Sequence, residues 1–166
     1  MLKKRHARDG EIIRIVAVTS EEQTSRIHAA IAHRAFEIYR LHGSNVRNEL
    51  EDWRTAEREL LCKLCFGRTT FGEKLWIGTD ASRFCEGTIG IWVAAHQLTI
   101  FGTPYTANEP AEPCDKGKPV VDTIFRVIPL DHEIDPVTVN ARIRGTALEI
   151  TAIRVHQNAE KELQAA

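Results

Sequence analysis

Residues 135–155 read Asp135-Pro136-Val137-Thr138-Val139-Asn140-Ala141-Arg142-Ile143-Arg144-Gly145-Thr146-Ala147-Leu148-Glu149-Ile150-Thr151-Ala152-Ile153-Arg154-Val155. Val139, Ala141 and Ile143 alternate with Asn140, Arg142 and Arg144; then Leu148, Ile150 and Ala152 alternate with Glu149 and Thr151. A period of two sets one face of a strand on a core and the other in water. Gly145-Thr146 stands between the two runs, and Gly supplies the positive φ that a tight turn needs. The stretch therefore predicts a hairpin of two half-buried strands.

Working upstream, Leu75/Ile77, Ile89/Ile91/Val93, Leu98/Ile100 and Phe125/Val127 also read as strands. They are separated by Gly87, by Ala94-Ala95-His96-Gln97 and by the segment 103–123. That segment holds four of the six prolines, Pro104, Pro110, Pro113 and Pro119, which cannot donate to a sheet ladder. A loop of this length in a compact domain is functional or mobile.

Before Phe66-Gly67 the period changes. Ile27, Ala30/Ile31, Ala35, Ile38 and Leu41 recur at three- and four-residue steps, which predicts a helix over 25–42 ended by Gly43. A second helix starts near Asn48, with Glu51 completing a capping box and Glu49 and Asp52 at the positive end of the dipole. Its stripe is Leu50, Trp53, Ala56/Glu57, Leu60 and Leu64. Joined by a short connection, the two make an antiparallel helical hairpin. Further upstream, Glu11 to Val18 is β-branched and reads as a strand whose partner the sequence does not name.

Composition excludes several classes. With 166 residues, 43% of them hydrophobic and 27% charged, the chain buries one ordinary core. A formal net charge of -1 gives no field to recruit nucleic acid or an anionic membrane. No apolar run approaches the roughly 18 residues of a membrane span. The basic start, Met1-Leu2-Lys3-Lys4-Arg5-His6, is followed by an apolar run broken by Glu11 and Arg14, unlike a signal-peptide core. A cytoplasmic protein is expected.

Cys62-Lys63-Leu64-Cys65 has the spacing of a redox couple or half a zinc site, but it closes a helix and has no second pair. Cys85 and Cys114 are isolated, so structural cysteines are expected. The seven His are scattered, and His28 and His33 fall on different helix faces. No Gly-rich phosphate loop, G-x-S-x-G or H-E-x-x-H occurs. The sequence therefore offers no catalytic group, no metal and no cofactor. Trp53 belongs to the stripe of the helical hairpin or to its packing surface on a sheet. Trp92 has the opposite phase from Ile91 and Val93; in a two-layer sandwich that face is outside, so Trp92 marks a surface covered by helices or by another chain.

The spacing after Asp135-Pro136, with Val139, Ala141, Ile143, Leu148 and Ile150, resembles the C-terminal end of the alpha-crystallin domain of small heat-shock proteins. Phe84, Ile89, Ile91, Val93, Leu98-Thr99-Ile100 and Gly102 are similar to its central strands in the same register. Arg126, Ile128 and Leu130 fall at its Arg-x-Phe-x-Leu-Pro strand. The helical hairpin, through Arg34-Ala35-Phe36-Glu37-Ile38-Tyr39 and Leu50 to Leu60, resembles an uncharacterised bacterial domain found ahead of alpha-crystallin domains.

The resemblance implies an immunoglobulin-like β-sandwich of alpha-crystallin type over 71–155, preceded by a tail with a possible strand (1–24) and the hairpin (25–66), and followed by a short tail (156–166). It implies an ATP-independent holdase, active in the stress response, that binds partly unfolded client proteins. The family's client groove would lie between the strands at 89–93 and 148–152, with Ile91, Val93, Leu148 and Ile150 as its floor. The 103–123 loop holds the family's dimerisation position, implying a homodimer with Trp92, Pro110, Pro113 and Arg126 at its interface. The residues after Val155 lack the Ile-x-Ile/Val plug of the family, so a dimer is expected rather than a cage. The alternative is a protein-binding module of the p23 co-chaperone type, docking one specific partner.

Overall fold

The computed structural model describes residues 13–42, 49–62, 66–85, 87–104 and 122–155. In chain order these form β1 (Arg14–Ala17), α1 (Ser20–His42), α2 (Glu49–Leu60), β2 (Phe66–Phe71), β3 (Lys74–Asp80), β4 (Gly90–Ala94), β5 (Gln97–Gly102), β6 (Ile124–Pro129), β7 (Ile134–Arg144) and β8 (Ala147–Arg154). The strands make two four-stranded sheets, ordered β1-β4-β5-β6 and β2-β3-β8-β7. The chain is mainly β, a sandwich with an N-terminal helical pair.

The 135–155 stretch folds as its alternation predicts. β7 and β8 pair antiparallel with Arg144 opposite Ala147, and Gly145 takes φ 64° in the two-residue turn. Leu148, Ile150 and Ala152 are buried, while Glu149 on the other face accepts from Arg142 Nε at 2.6 Å. Pro136 sits where the β7 register shifts, between Asp135 and Asn140. There the Asp135 carboxylate accepts from the Val137 amide at 3.0 Å, and the Thr138 hydroxyl accepts from the Ile153 amide at 2.9 Å. Side chains thus supply the hydrogen bonds a bulged strand lacks.

Between the sheets lies one core, with Ile77, Ile91, Val93, Leu98, Ile100, Ile128, Ile134, Leu148 and Ile150 fully buried. A second core lies on the outer face of the first sheet, where the phase of Trp92 calls for a cover of helices or of another chain. Trp92, Phe101, Phe125 and Val127 project from the opposite face of the first sheet onto Ile27, Ile31, Ile38, Ala56 and Leu60 of the helical pair. The molecule has three layers, with the first sheet in the middle. Gly90 permits this: a Cβ there would stand 2.3 Å from Phe101 Cζ, so only Gly lets the Phe101 ring lie across β4 beside Trp92, 4.6 Å between centroids.

α1 begins at Ser20, five residues before Ser25, because the Thr19 hydroxyl accepts from the Glu22 amide at 3.2 Å and caps the helix there. Asn48, Gly43 and Leu64 lie outside the described residues. Leu41 and Leu50, placed on the buried stripes by spacing, are 58% and 50% exposed. Arg34 is buried beside the α1 stripe; its Nε donates to Glu59 of α2 at 2.6 Å and its Nη1 donates to Glu37 at 3.1 Å. Burial works against its charge, but the two carboxylates more than offset this and raise its pKa above the ordinary value. Folding thus favours charged Arg34 at every pH below its titration.

The middle and helical layers are locked by one buried amide. Gln23 is fully buried. Its Nε2 donates to the Val18 carbonyl at 3.0 Å, and its Oε1 accepts from Thr99 Oγ1 at 2.7 Å and Gln97 Nε2 at 3.0 Å. Val18 follows β1, and Thr99 and Gln97 both lie on β5, so this residue of α1 ties β1's exit, α1 and β5 together.

Candidate client-binding edge

β1 is the partner-seeking strand of the sequence, and the structure gives it one. It runs parallel to β4 at the margin of the first sheet, with Ile15 opposite Ile91 and Ala17 opposite Val93. The Val18 amide extends the ladder by donating to the Val93 carbonyl at 2.9 Å. Ile13 is buried in the inter-sheet core, and Ile15 packs partly buried against it. β1 also lies against β7, the marginal strand of the second sheet. Here the two sheets approach each other at their edges, and β1 closes the gap between β4 and β7.

The four residues assigned to a groove floor are elsewhere. Ile91, Val93, Leu148 and Ile150 are each no more than 1% exposed and belong to the inter-sheet core. β8 lies between β3 and β7, so it has no free edge. The reason is strand order: a long edge strand, β7, separates β8 from that side of the sandwich. The edge facing β4 belongs to β7, and its occupant is Ile13 and Ile15. Sequence reasoning had their signal, the β-branched run Ile12-Ile13-Arg14-Ile15-Val16, but parallel pairing with a distant strand leaves no local mark.

Of the residues assigned to a dimer interface, Trp92 is covered within the chain. Its indole packs on Phe101 and, at 5.7 Å, on Phe125, with the Arg26 guanidinium 5.2 Å from its centroid. Of the two covers its phase allowed, helices or another chain, the structure shows α1. Arg126 lies at the opposite side of the sandwich, where β6 and β2 meet. Its Nη1 donates to the Cys62 carbonyl at 3.4 Å and its guanidinium stands 5.2 Å from the Phe66 centroid. Its Nε is buried with no acceptor among the described residues. Arg68 stacks on the same ring at 5.7 Å, paired with Asp131. Pro110 and Pro113 lie outside the described residues. Beyond β2 no further strand pairs among the described residues, and Phe71 on it is 87% exposed.

Cys62 is half-buried, its amide donating to the Phe125 carbonyl at 2.8 Å, so it belongs to a short parallel bridge beside β6. Cys65 lies outside the described residues. Among the described residues no three His, Cys, Asp or Glu side chains gather as a metal site would require. Replacing Cys62 and Cys65 together by Ser should leave the fold intact and lower the melting temperature by only a few degrees. Stoichiometric zinc in the purified wild type, lost with unfolding in the double variant, would contradict this.

Several solved structures are similar to this chain. They are small heat-shock proteins. Heat shock protein 16.0 from Schizosaccharomyces pombe is 13% identical, matching 60% of this chain and 94% of its own with a TM-score of 0.45. A small heat-shock protein from Xylella fastidiosa is 13% identical over 59% of this chain and 91% of its own, TM-score 0.45. The hspA of Xanthomonas axonopodis is 15% identical over 55% and 92%, TM-score 0.43. No family model matches the chain, and no curated protein matches it. Among the described residues no helix is long and apolar enough to cross a membrane.

Proposed function

We propose that this protein is a small heat-shock-protein-like, ATP-independent holdase that binds partly unfolded polypeptides in the cytoplasm under stress. One observation carries the reading. The sandwich accepts as an added strand a segment remote in sequence, β1, through main-chain pairing to β4 and insertion of Ile13 and Ile15 between the sheets. Strand addition at a sheet edge binds by backbone hydrogen bonds and reads only alternate apolar side chains, which suits clients of many sequences. Nothing in that chemistry needs a nucleotide. The test is light scattering from a heat-labile client warmed with and without the protein, with no ATP. Suppressed aggregation is expected; unchanged scattering at molar excess would sink the reading. Saturable binding to one partner without client protection would point to the p23-type module instead.

The subunits associate, in this reading, through the 103–123 loop and the side of β2 that pairs with no further strand among the described residues, next to Arg126. Size exclusion with light scattering should give the mass of two subunits, and Arg126→Ala should shift it towards one. A monomer that persists at high concentration, or a mass of a dozen subunits, contradicts the dimer.

A further inference from the structure

We infer that the cleft between the helical pair and the first sheet binds a small organic amine, a ring or short hydrocarbon body carrying one protonated nitrogen. The inference is independent of the holdase reading and concerns the helix-covered face of the first sheet. The cleft opens where the second core reaches the surface, with a volume of about 440 Å³. That is the size of a small-molecule site, and the boundary between two packed units is a usual place for one. Ile31 of α1, Leu61 just after α2 and Val127 of β6 line it with hydrocarbon, and the half-buried Trp53 stands with them.

The polar lining says what kind of molecule fits. The His28 ring meets the Trp53 indole at 4.6 Å between centroids and 49° between planes, so α1 and α2 together make an aromatic corner of the cleft. Glu57 follows Trp53 by four residues, which sets its carboxylate one helical turn further along the same face. It holds a position on the α2 stripe where packing asks for an apolar side chain, and among the described residues its carboxylate has no hydrogen bond or ion pair. Gln97 lines the cleft from β5, with its Nε2 committed to Gln23 Oε1 at 3.0 Å; its own Oε1 has no donor among the described residues. A carboxylate, an amide oxygen and an indole all attract positive charge, and no Lys or Arg lines the cleft. The hydrocarbon walls in turn favour a ligand body that leaves water. A cationic head on an apolar body satisfies both, whereas an anion of the same shape meets Glu57 with no counter-charge.

The probe is phenethylamine, titrated into the isotope-labelled full chain and followed by the shifts of amide and indole N–H signals. Phenethyl alcohol keeps the body and loses the charge; 3-phenylpropionate reverses it. The amine should bind about tenfold more tightly than the alcohol, through a cation–π contact and a partly desolvated ion pair together, and the carboxylate should bind more weakly than either. Shift changes should gather at residues 27–31, 53–61 and 127. Glu57→Gln, a substitution at an exposed position, should bring the amine to within about twofold of the alcohol. Val127→Phe fills the cleft and should weaken amine and alcohol alike. The inference is overturned by no binding of the amine up to about 10 mM, by equal binding of amine and alcohol, by an amine preference that survives Glu57→Gln, or by shifts that gather elsewhere. A folded Val127→Phe chain that binds the amine as wild type does also overturns it; should that variant fail to fold, the Glu57→Gln comparison decides.

Discussion

Val93→Ser with Leu148→Ser should leave the chain largely unfolded at room temperature. Val93 is 1% exposed and Leu148 0%, one on each sheet and both in the inter-sheet core. Truncating a buried aliphatic side chain costs about 2–5 kcal/mol in lost transfer energy and residual cavity, and each new hydroxyl must also find a partner there. Two such losses consume most of the roughly 5–15 kcal/mol by which domains of this size are stable. Ile143→Ala, at a partly buried position on β7, should cost roughly 1–2 kcal/mol by comparison. Urea denaturation followed by far-ultraviolet circular dichroism measures both. A double variant that melts cooperatively within a few degrees of wild type would show that these residues are not the core. Any loss of client protection in the double variant follows from unfolding, so it says nothing of a client groove; substitutions at Ile13 and Ile15 address that question.

The second large effect is expected from Gln23→Leu. The shape is nearly kept, but the Val18 carbonyl and the fully buried Thr99 hydroxyl lose their partner. A stranded buried polar group costs about 1–3 kcal/mol, so the substitution should cost roughly 2–6 kcal/mol. Removing the other side of the pair should restore part of it. Gln23→Leu with Thr99→Val should be less destabilised than the sum of the single variants, by about 1–3 kcal/mol in a double-mutant cycle. Strictly additive losses would mean that the two side chains do not depend on each other. Tryptophan fluorescence is the natural signal, because Trp53 and Trp92 both lie in the core between the helices and the first sheet.

Much of this architecture was legible because it is local. Alternation from Val139 to Ala152 and the glycine at 145 specify the final hairpin, and three- and four-residue steps from Ile27 to Ile38 specify α1. What was not legible concerns who neighbours whom. The phase of Leu148 and Ile150 says that they face inward; it does not say whether their strand is central or marginal, which is settled only when β7 takes the outer place. β2, Phe66 to Phe71, has no apolar alternation, since Phe66 is its only residue against the core, the half-buried Arg68 is charged and the rest is exposed. Gly90-Ile91-Trp92-Val93-Ala94 did carry a signal of the third layer. A strand apolar at both phases is one buried on both faces, and here Trp92 is the outward side of that run. Gln23 left no trace, because a buried amide and a surface amide are spelled alike.

The position of β1 bears on how the protein is made. Its first strand belongs to a sheet whose next member is β4, and both helices and two strands of the other sheet must be synthesised between them. At about 5–20 residues per second, the ribosome needs several seconds to cover that stretch. Through that interval Ile13 and Ile15 have no partner in the growing chain, and β1 is an unpaired apolar strand of the kind that aggregates. β1 therefore joins its sheet only after β4 has been made, well after the helices that follow it in the chain.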